Sequence, residues 1–439
     1  MTQTLTQPSP PTADPSTLKR AVIAGVIGHF VEWYDYGVYA YVATTLAVVF
    51  FSSSNPTAAL LAVFATFAVA FFARPLGGLF FGSLGDRIGR QRCLATVVVL
   101  MSLSTFAIGV LPTYTSVGVL APVLLLTARL LQGFSAGGEI AGAASFINEY
   151  APGNRRGLLS SLLPAASATG LLFGAVLMAV LTANLSKDGM NSWGWRVPFL
   201  IALPLGMIGL YLRLKIEDTP MFRALVSAAE ADPAPLRSSV TGQFKWIAVA
   251  FGATLTYGVG FYVVMSYMPT YLKGVAHFDT GSMLAITSAA LITHIVALPL
   301  WGALSDRVGR KPVLIGASVA LVVVTYPAFL FIAQGGVAAA ITGGATLGAL
   351  IAAGAAPLFA YMAEMFPTRV RASSVSIGYN ASVMIFGGTA PFIATYLIDR
   401  TGSQVAPSFY LVAAAAGAAL TLALAPTSKS SHQDALRQS

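Results

Sequence analysis

The sequence predicts an all-α membrane protein, with twelve transmembrane helices in two six-helix halves. Three observations carry that expectation. First, only 9% of the 439 residues are charged and 56% are hydrophobic, whereas a water-soluble domain carries roughly 25% charged residues. Second, the apolar residues gather into twelve segments, each near or above the roughly 17–25 residues of a spanning helix. Third, two polar loop motifs recur at a half-chain offset, which divides six segments from six.

In chain order, residues 1–18 are polar and proline-rich (MTQTLTQPSPPTADPST). They read as a cytoplasmic tail without a cleavable signal peptide. The N-terminal half, 19–214, holds segments at about 19–50, 56–83, 93–112, 119–149, 158–184 and 195–214. A central loop, 215–243, is polar and contains Pro220, Pro233 and Pro235. The C-terminal half, 244–425, holds segments at about 244–272, 282–304, 313–333, 337–363, 373–398 and 406–425, and 426–439 is a second tail.

Orientation follows from the loop cations. Nineteen Lys and Arg lie on the side shared by both termini and four on the other. Both termini and the central loop are therefore expected in the cytoplasm, with the chain in the cytoplasmic (inner) membrane. The net charge of +9 reports this topology and not nucleic-acid binding, because the basic residues are interrupted by membrane spans. One cysteine, Cys93, excludes an intrachain disulfide and a Cys-based metal cluster. HExxH and GxSxG motifs are absent, so neither a zinc hydrolase nor a serine hydrolase is indicated. A membrane enzyme or a sensor is the contrasting class, but the sequence offers no nucleophile–base set and no sizeable soluble output domain.

The repeat sits in the loops. GSLGDRIGRQR, with Asp86, Arg87 and Arg90, is matched by GALSDRVGRKP, with Asp306, Arg307 and Arg310, 220 positions on. Glu149 and Arg155 are matched by Glu364 and Arg369, the glutamates 215 positions apart. Parallel repeats of this kind build transporters whose site lies at the midplane between halves. The loop residues are expected to latch the halves when the cytoplasmic side is closed.

The paired GxxxDRxGR loops resemble the signature of the major facilitator superfamily. Arg129, Gln132 and Gly133 match its fourth-helix motif, which the resemblance ties to proton transfer. The antiporter element GPxxGG is missing from segment five, which reads ASATGLLFGA; this argues against drug efflux. The finer resemblance is to the metabolite–proton symporters and covers almost the whole chain. It rests on GHFVEWYDYGVY (28–39), ARPLGGLFFGSLGDRIGR (73–90), RLLQGFSAGGE (129–139), WGWRVPF (193–199), EDTP (217–220) and YMPTYL (267–272). It implies the major facilitator fold, alternating access and the proton as coupling ion, with no other cofactor or metal. The family's substrates are α-ketoglutarate, citrate, shikimate, or proline and betaine. Residues 201–213 are most similar to the proline/betaine branch. His29 replaces the family's usual asparagine, and the short stretch after Pro426 lacks the long coiled coil of osmosensing members, which counts against osmosensing and not against osmolyte transport.

The candidate site residues are the charges and aromatics inside these segments. A charge in the hydrocarbon core costs on the order of 2.5–3.5 kcal/mol, so each must face protein or a watery cavity. Arg129 and Glu139 lie in segment four, among glycines and alanines that let helices approach closely. A buried structural ion pair would also satisfy that pattern. His29, Glu32, Tyr36 and Tyr39 follow one stripe of the first helix, with Asp35 beside Glu32. Glu32, Asp35, Glu139 and His29 are the candidates for proton coupling. Arg129, Arg74, Gln132, Tyr36, Tyr39, Tyr257, Tyr262 and His294 are the candidates for substrate contact. Arg74 precedes Pro75, which also suits a helix junction, and the tyrosines and His294 also suit ordinary packing. The three embedded acids and two embedded arginines become neutral with one added proton, which suits a zwitterion. The breadth of organic acids in the resembled family and the short tail turn the reading towards an organic acid, with a zwitterionic osmolyte as the alternative. The partners expected are a small carboxylate-bearing solute, protons and the bilayer, with the chain working as a monomer.

Overall fold

A computed structural model describes residues 15–51, 55–88, 90–137, 139, 144, 147, 151–214, 235–366 and 371–426. Its helices follow the predicted segments in order. In the N-terminal half they are α1 (Pro15–Tyr41, continued by Ala43–Phe50), α2 (Pro56–Ile88), α3 (Arg90–Val110), α4 (Leu120–Ala136), α5 (Leu162–Asn184) and α6 (Arg196–Leu214). In the C-terminal half they are α7 (Pro235–Gly260, continued through Phe261–Tyr267 to Met268–Gly274), α8 (Thr280–Val308), α9 (Arg310–Gln334), α10 (Val337–Ala355, continued by Leu358–Met365), α11 (Arg371–Ser382, continued through Val383–Gly387 to Ala390–Thr401) and α12 (Ala406–Leu424). Among the described residues, eight helices are long and apolar enough to cross a membrane, and a bent pair, Lys187–Gly194 with Arg196–Leu212, makes a ninth.

Exposure along α2 shows how such a helix meets two media. Val69, Phe72, Leu76, Leu79 and Phe80 are exposed, yet apolar. Their spacing of three and four residues makes one stripe, as expected of a face turned to lipid. The opposite stripe, Phe67, Phe71 and Arg74, is buried. The helix runs unbroken through Pro75, so Arg74 is not at a helix junction. Proline inside a spanning helix is tolerated when neighbours satisfy the freed backbone groups.

Local chemistry explains several boundaries. α7 starts at Pro235, ahead of the predicted span, but Gln243 is non-helical within it (φ −126°, ψ 15°) and divides the loop piece from the span. Asp279 caps α8, accepting from Gly281 N at 2.9 Å and Ser282 N at 3.1 Å. Donation from the Ser282 hydroxyl at 2.5 Å, together with these amide bonds, stabilises the charged form and holds its carboxyl below the usual range. In the WGWRVPF stretch, Arg196 Nη1 donates to the Gly109 and Leu111 carbonyls, both at 2.8 Å. It thereby satisfies acceptors that the end of α3 leaves open.

The two halves meet along α5 with α8 and along α1 and α2 with α7 and α11. At the end that carries the Asp306 loop, Gly157 and Gly302 bring the halves backbone to backbone; a Cβ on Gly302 would lie 2.7 Å from the Gly157 carbonyl oxygen. Towards the other end, the rings of Phe64 and Tyr267 pack at 5.8 Å, and Phe71 fills the space beside Gly388. Between these closures lies the buried polar centre.

Candidate functional site

Three N-terminal helices supply the charged groups. α1 contributes His29, Glu32 and Asp35, α2 contributes Arg74, α4 contributes Arg129 and Gln132, and Glu139 lies just beyond α4; each is 1% exposed or less. The close approach that joins them is set by glycine. A Cβ on Gly133 or Gly137 would run into the carbonyl oxygens of Ala70 and Arg74, and one on Gly77 into that of Phe134. The GFSAG stretch (133–137) is thus a small-xxx-small contact between α2 and α4 that places both arginines against α1.

The charges fall into two groups. In the first, Arg74 Nη2 pairs with Glu32 Oε1, Arg74 Nε donates to the Tyr36 hydroxyl at 3.3 Å, and His29 Nδ1 lies 3.3 Å from Glu32 Oε2. Donor atoms of His29, Glu32 and Glu139 all lie within 4.8 Å of one another. This is the one group of three metal-type ligands among the described residues. The Arg74 cation already on Glu32 disfavours a divalent ion there.

In the second group, Arg129 Nη1 donates to Gln132 Oε1 and Gln132 Nε2 donates to Thr105 Oγ1 at 2.7 Å. The Thr105 hydroxyl donates in turn to Asp35 Oδ2 at 2.8 Å, with the Met101 carbonyl at 3.0 Å as a competing acceptor. Arg129 therefore reaches Asp35 through a relay and not by a direct pair. Its Nε and Nη2 have no hydrogen-bond partner among the described residues. The guanidinium carbon sits 4.1 Å from the Tyr39 ring centroid, 5.0 Å from that of Phe67 and 5.5 Å from that of Tyr36.

Tyr36 and Tyr39 thus give their faces to the arginines; Arg74 lies 5.0 Å over Tyr36 as well. The Tyr39 hydroxyl is also engaged, donating to the Val63 carbonyl at 3.0 Å. The aromatic faces between the halves are others. Trp33 packs on Phe261 at 4.7 Å and on Tyr262 at 5.5 Å, and Phe71 packs on Tyr262 at 5.3 Å. Phe261 and Tyr262 begin a widened, π-type stretch of α7, a feature that recurs at functional sites. The Trp33 Nε1 and Tyr262 hydroxyl have no hydrogen-bond partner among the described residues.

Tyr257 is buried on the same helix, its ring against Phe261 at 5.3 Å and Phe359 at 6.0 Å. His294 Nδ1 donates to the Gly348 carbonyl at 2.9 Å, tying α8 to α10, with its ring 5.8 Å from Phe261. Arg74 lies within electrostatic reach of Tyr262 and Tyr379 of the other half. Sequence reasoning left Thr105, Trp33, Phe71 and Tyr379 out of the site. Thr105 had a signal, a hydroxyl within an apolar span; the aromatics had none that separated them from core.

Of the gating candidates, Asp306, Arg310 and Glu364 come together. Asp306 accepts from the Gly157 and Leu158 amides, both at 2.9 Å. Arg310 pairs with Asp306 at 2.6 Å and with Glu364 at 3.2 Å. Arg155 and Arg307 are exposed. Glu149 and Arg369, and the side chains of Asp86, Arg87 and Arg90, lie outside the described residues.

With this geometry in hand, comparison with known proteins is informative. The family model for sugar (and other) transporters matches residues 21–250 and again 235–436. The chain belongs to that family of the major facilitator superfamily. It is a multi-pass membrane transporter and not an enzyme. Among curated proteins, it is 38% identical over 417 residues to the glycine betaine/proline/ectoine/pipecolic acid transporter of Dickeya dadantii (strain 3937), covering 93% of this chain and 83% of the relative. It is also 38% identical over 411 residues to the proline/betaine transporter of Escherichia coli (strain K12), covering 92% and 82%. Among solved structures, the proton:xylose symporter XylE bound to 6-bromo-6-deoxy-D-glucose superposes with a TM-score of 0.76 at 19% identity, covering 92% of this chain and 95% of that one. A partially occluded inward-open form of XylE from E. coli gives 0.74 at 20%, covering 94% and 98%. These two likenesses establish the fold.

Proposed function

We propose that the chain imports small zwitterionic osmolytes of the proline and betaine class, driven by the proton gradient, by alternating access across the cytoplasmic membrane. The distribution of loop cations supports an orientation with both termini in the cytoplasm. The observation that carries this reading is Arg129. It is fully buried, stacked on Tyr39, and keeps Nε and Nη2 without a partner among the described residues. A guanidinium offers a fork that matches a carboxylate. The faces of Trp33, Phe261 and Tyr262 then supply the other end, since a ligand cation gains cation–π attraction from such rings.

The named substrates of the similar transporters are zwitterions, and this reverses the preference for an organic acid drawn from the sequence. The charge balance agrees: three embedded acids and two arginines leave room for one proton and a substrate without net charge. The test is uptake into proteoliposomes of purified protein under an imposed pH gradient. Radiolabelled glycine betaine and proline are expected to accumulate, and citrate and α-ketoglutarate to stay at equilibrium. Accumulation of the di- and tricarboxylates alone would return the substrate to the organic acids.

A further inference from the structure

Resting on that reading, we infer that Thr105 is a positioning residue for substrate binding: its hydroxyl aims the Arg129 fork through Gln132 and adjusts to the charge on Asp35. Arg129 lies against the ring faces of Tyr39, Phe67 and Tyr36. Cation–π attraction holds a guanidinium near a ring but leaves it free to turn in its own plane. The bond from Nη1 to Gln132 is the one hydrogen bond that Arg129 makes among the described residues. It therefore decides where the open Nε and Nη2 point.

Chemistry fixes the direction of the relay. A guanidinium only donates, so the Gln132 atom facing it is Oε1 and the amide nitrogen is turned to Thr105. That nitrogen also only donates, so Thr105 Oγ1 accepts there and its own proton goes elsewhere. Two acceptors compete for it, Asp35 Oδ2 at 2.8 Å on α1 and the Met101 carbonyl at 3.0 Å on α3. With Asp35 ionised, the proton goes to the carboxylate, since a bond to a charged acceptor is the stronger. With Asp35 protonated, the acid donates to the second lone pair of Oγ1 and the Thr105 proton turns to Met101. Gln132 keeps its acceptor in both arrangements, so neither leaves a relay group unpaired at the cost of a buried polar atom. Valine has nearly the same shape and offers neither arrangement. It leaves the Gln132 amide without an acceptor and Asp35 Oδ2 without a donor.

The charges within electrostatic reach of Asp35 are Arg129 on α4 and Glu32 on its own helix, and Gln132 is the other polar side chain beside it. Glu32 is engaged by Arg74 of α2 and lies with His29 and Glu139. Tyr34, the neighbour on α1, donates its hydroxyl to the Pro198 carbonyl at 2.6 Å. α5 presents no titratable side chain. On α6, Arg196 is held at the end of α3 and Tyr211 is exposed; on α7, the buried titratable groups are the phenols of Tyr257, Tyr262, Tyr267 and Tyr271. An ionised Asp35 draws on the Arg129 charge that the substrate carboxylate needs, so affinity falls as Asp35 loses its proton. Removing the Thr105 hydroxyl takes a bond from the charged form, and the proton is then kept to higher pH.

The test is titration of purified wild type and variants with proline and glycine betaine over a series of pH values, with a melting curve for each. Wild type that binds neither solute would overturn the zwitterion reading, and this inference with it. With wild type binding, Thr105→Val is expected to lose roughly tenfold in affinity, the worth of one charge-assisted bond. The pH at which its affinity falls is expected to move up. Thr105→Ser keeps the hydroxyl and should stay close to wild type in both respects. Unchanged affinity in Thr105→Val would overturn the inference, and an equal loss in Thr105→Ser would do so by assigning the effect to packing. Lost affinity with an unmoved pH profile would overturn the adjustment to Asp35. Gln132→Leu cuts the same relay one link nearer Arg129 and serves equally if Thr105→Val does not fold. Its loss should match, and the double variant should lose no more than either single one, because the two act in series. Additive losses would mean two independent roles and no relay.

Discussion

At the scale of single residues, the arginine on α4 separates a binding role from a structural one. Two of its nitrogens are unengaged among the described residues, while Nη1 serves Gln132. A carboxylate that takes the open fork gains charge-assisted bonds of about 1.5–3 kcal/mol. Arg129→Lys keeps the charge and loses the fork, so substrate affinity should fall roughly ten- to a hundredfold. The relay to Asp35 should survive, because lysine can still donate to Gln132, and the thermal midpoint without ligand should change little. Ligand titration of the purified variant with proline or glycine betaine measures the first effect, and a melting curve the second. Unchanged affinity would make Arg129 structural and turn attention to Arg74, whose Nη1 is likewise without a hydrogen-bond partner among the described residues.

At the scale of elements, the α2–α4 contact decides whether those residues meet at all. Gly133 and Gly137 on α4 abut the backbone carbonyls of Ala70 and Arg74, and Gly77 abuts that of Phe134. These neighbours are backbone and cannot turn aside. Overpacking of this kind costs about 1–3 kcal/mol, and the displaced helices would also carry Arg74 and Arg129 away from α1. Gly133→Ala should therefore lower both the thermal midpoint and substrate affinity. Gly316 on α9 has nothing within 4 Å of an added Cβ, and alanine is the better helix former, so Gly316→Ala should do neither. Melting and ligand binding on the two variants check this, and equal behaviour would show that the glycines are not what sets the spacing.

The same element shows what was legible in the sequence. Embedded charges and small residues are visible as exceptions in an apolar run, so Arg74, Arg129, Glu139 and the glycines could be picked out beforehand. Which charge pairs with which was not visible, because it depends on how α2 and α4 rotate against α1. Aromatics fared worse. In a chain with 26 Phe and 16 Tyr, packing rings and site rings look alike, and only the widened stretch of α7 brings Phe261 and Tyr262 onto Trp33. The all-helical membrane fold was legible throughout, since span length and polar loops are fixed by the bilayer itself.

For the whole molecule, the closure at the Asp306 loop is a contact that the proposed alternating access would have to break. Asp306 belongs to the C-terminal half, yet its carboxylate accepts from two amides at the start of the Arg156–Ser160 helix in the N-terminal half. Arg310 holds that carboxylate in place and ties it to Glu364. The arrangement works as a helix cap supplied from across the interface, and caps are worth about 0.5–2 kcal/mol each. Asp306→Ala removes the acceptor and leaves Arg310 with Glu364 and the Ser305 hydroxyl. A loss of about 1–2 kcal/mol changes a two-state equilibrium roughly 5- to 30-fold, here towards the form open at this end. Ser161 reports that change, because its hydroxyl oxygen lies 3.0 Å from where a Cβ on Gly302 would sit and is covered while the halves are closed. With the single cysteine Cys93 replaced by serine and Ser161→Cys introduced, maleimide labelling in membrane vesicles should be several-fold faster when Asp306→Ala is added. Uptake should be slower in the same variant, with substrate affinity within a few-fold of the parent. By the sequence repeat, Asp86→Asn is expected to slow uptake in the same way. Equal labelling rates with and without Asp306→Ala would mean that the cross-half cap does not hold the closed form, and that Gly157 against Gly302 is sufficient to do so.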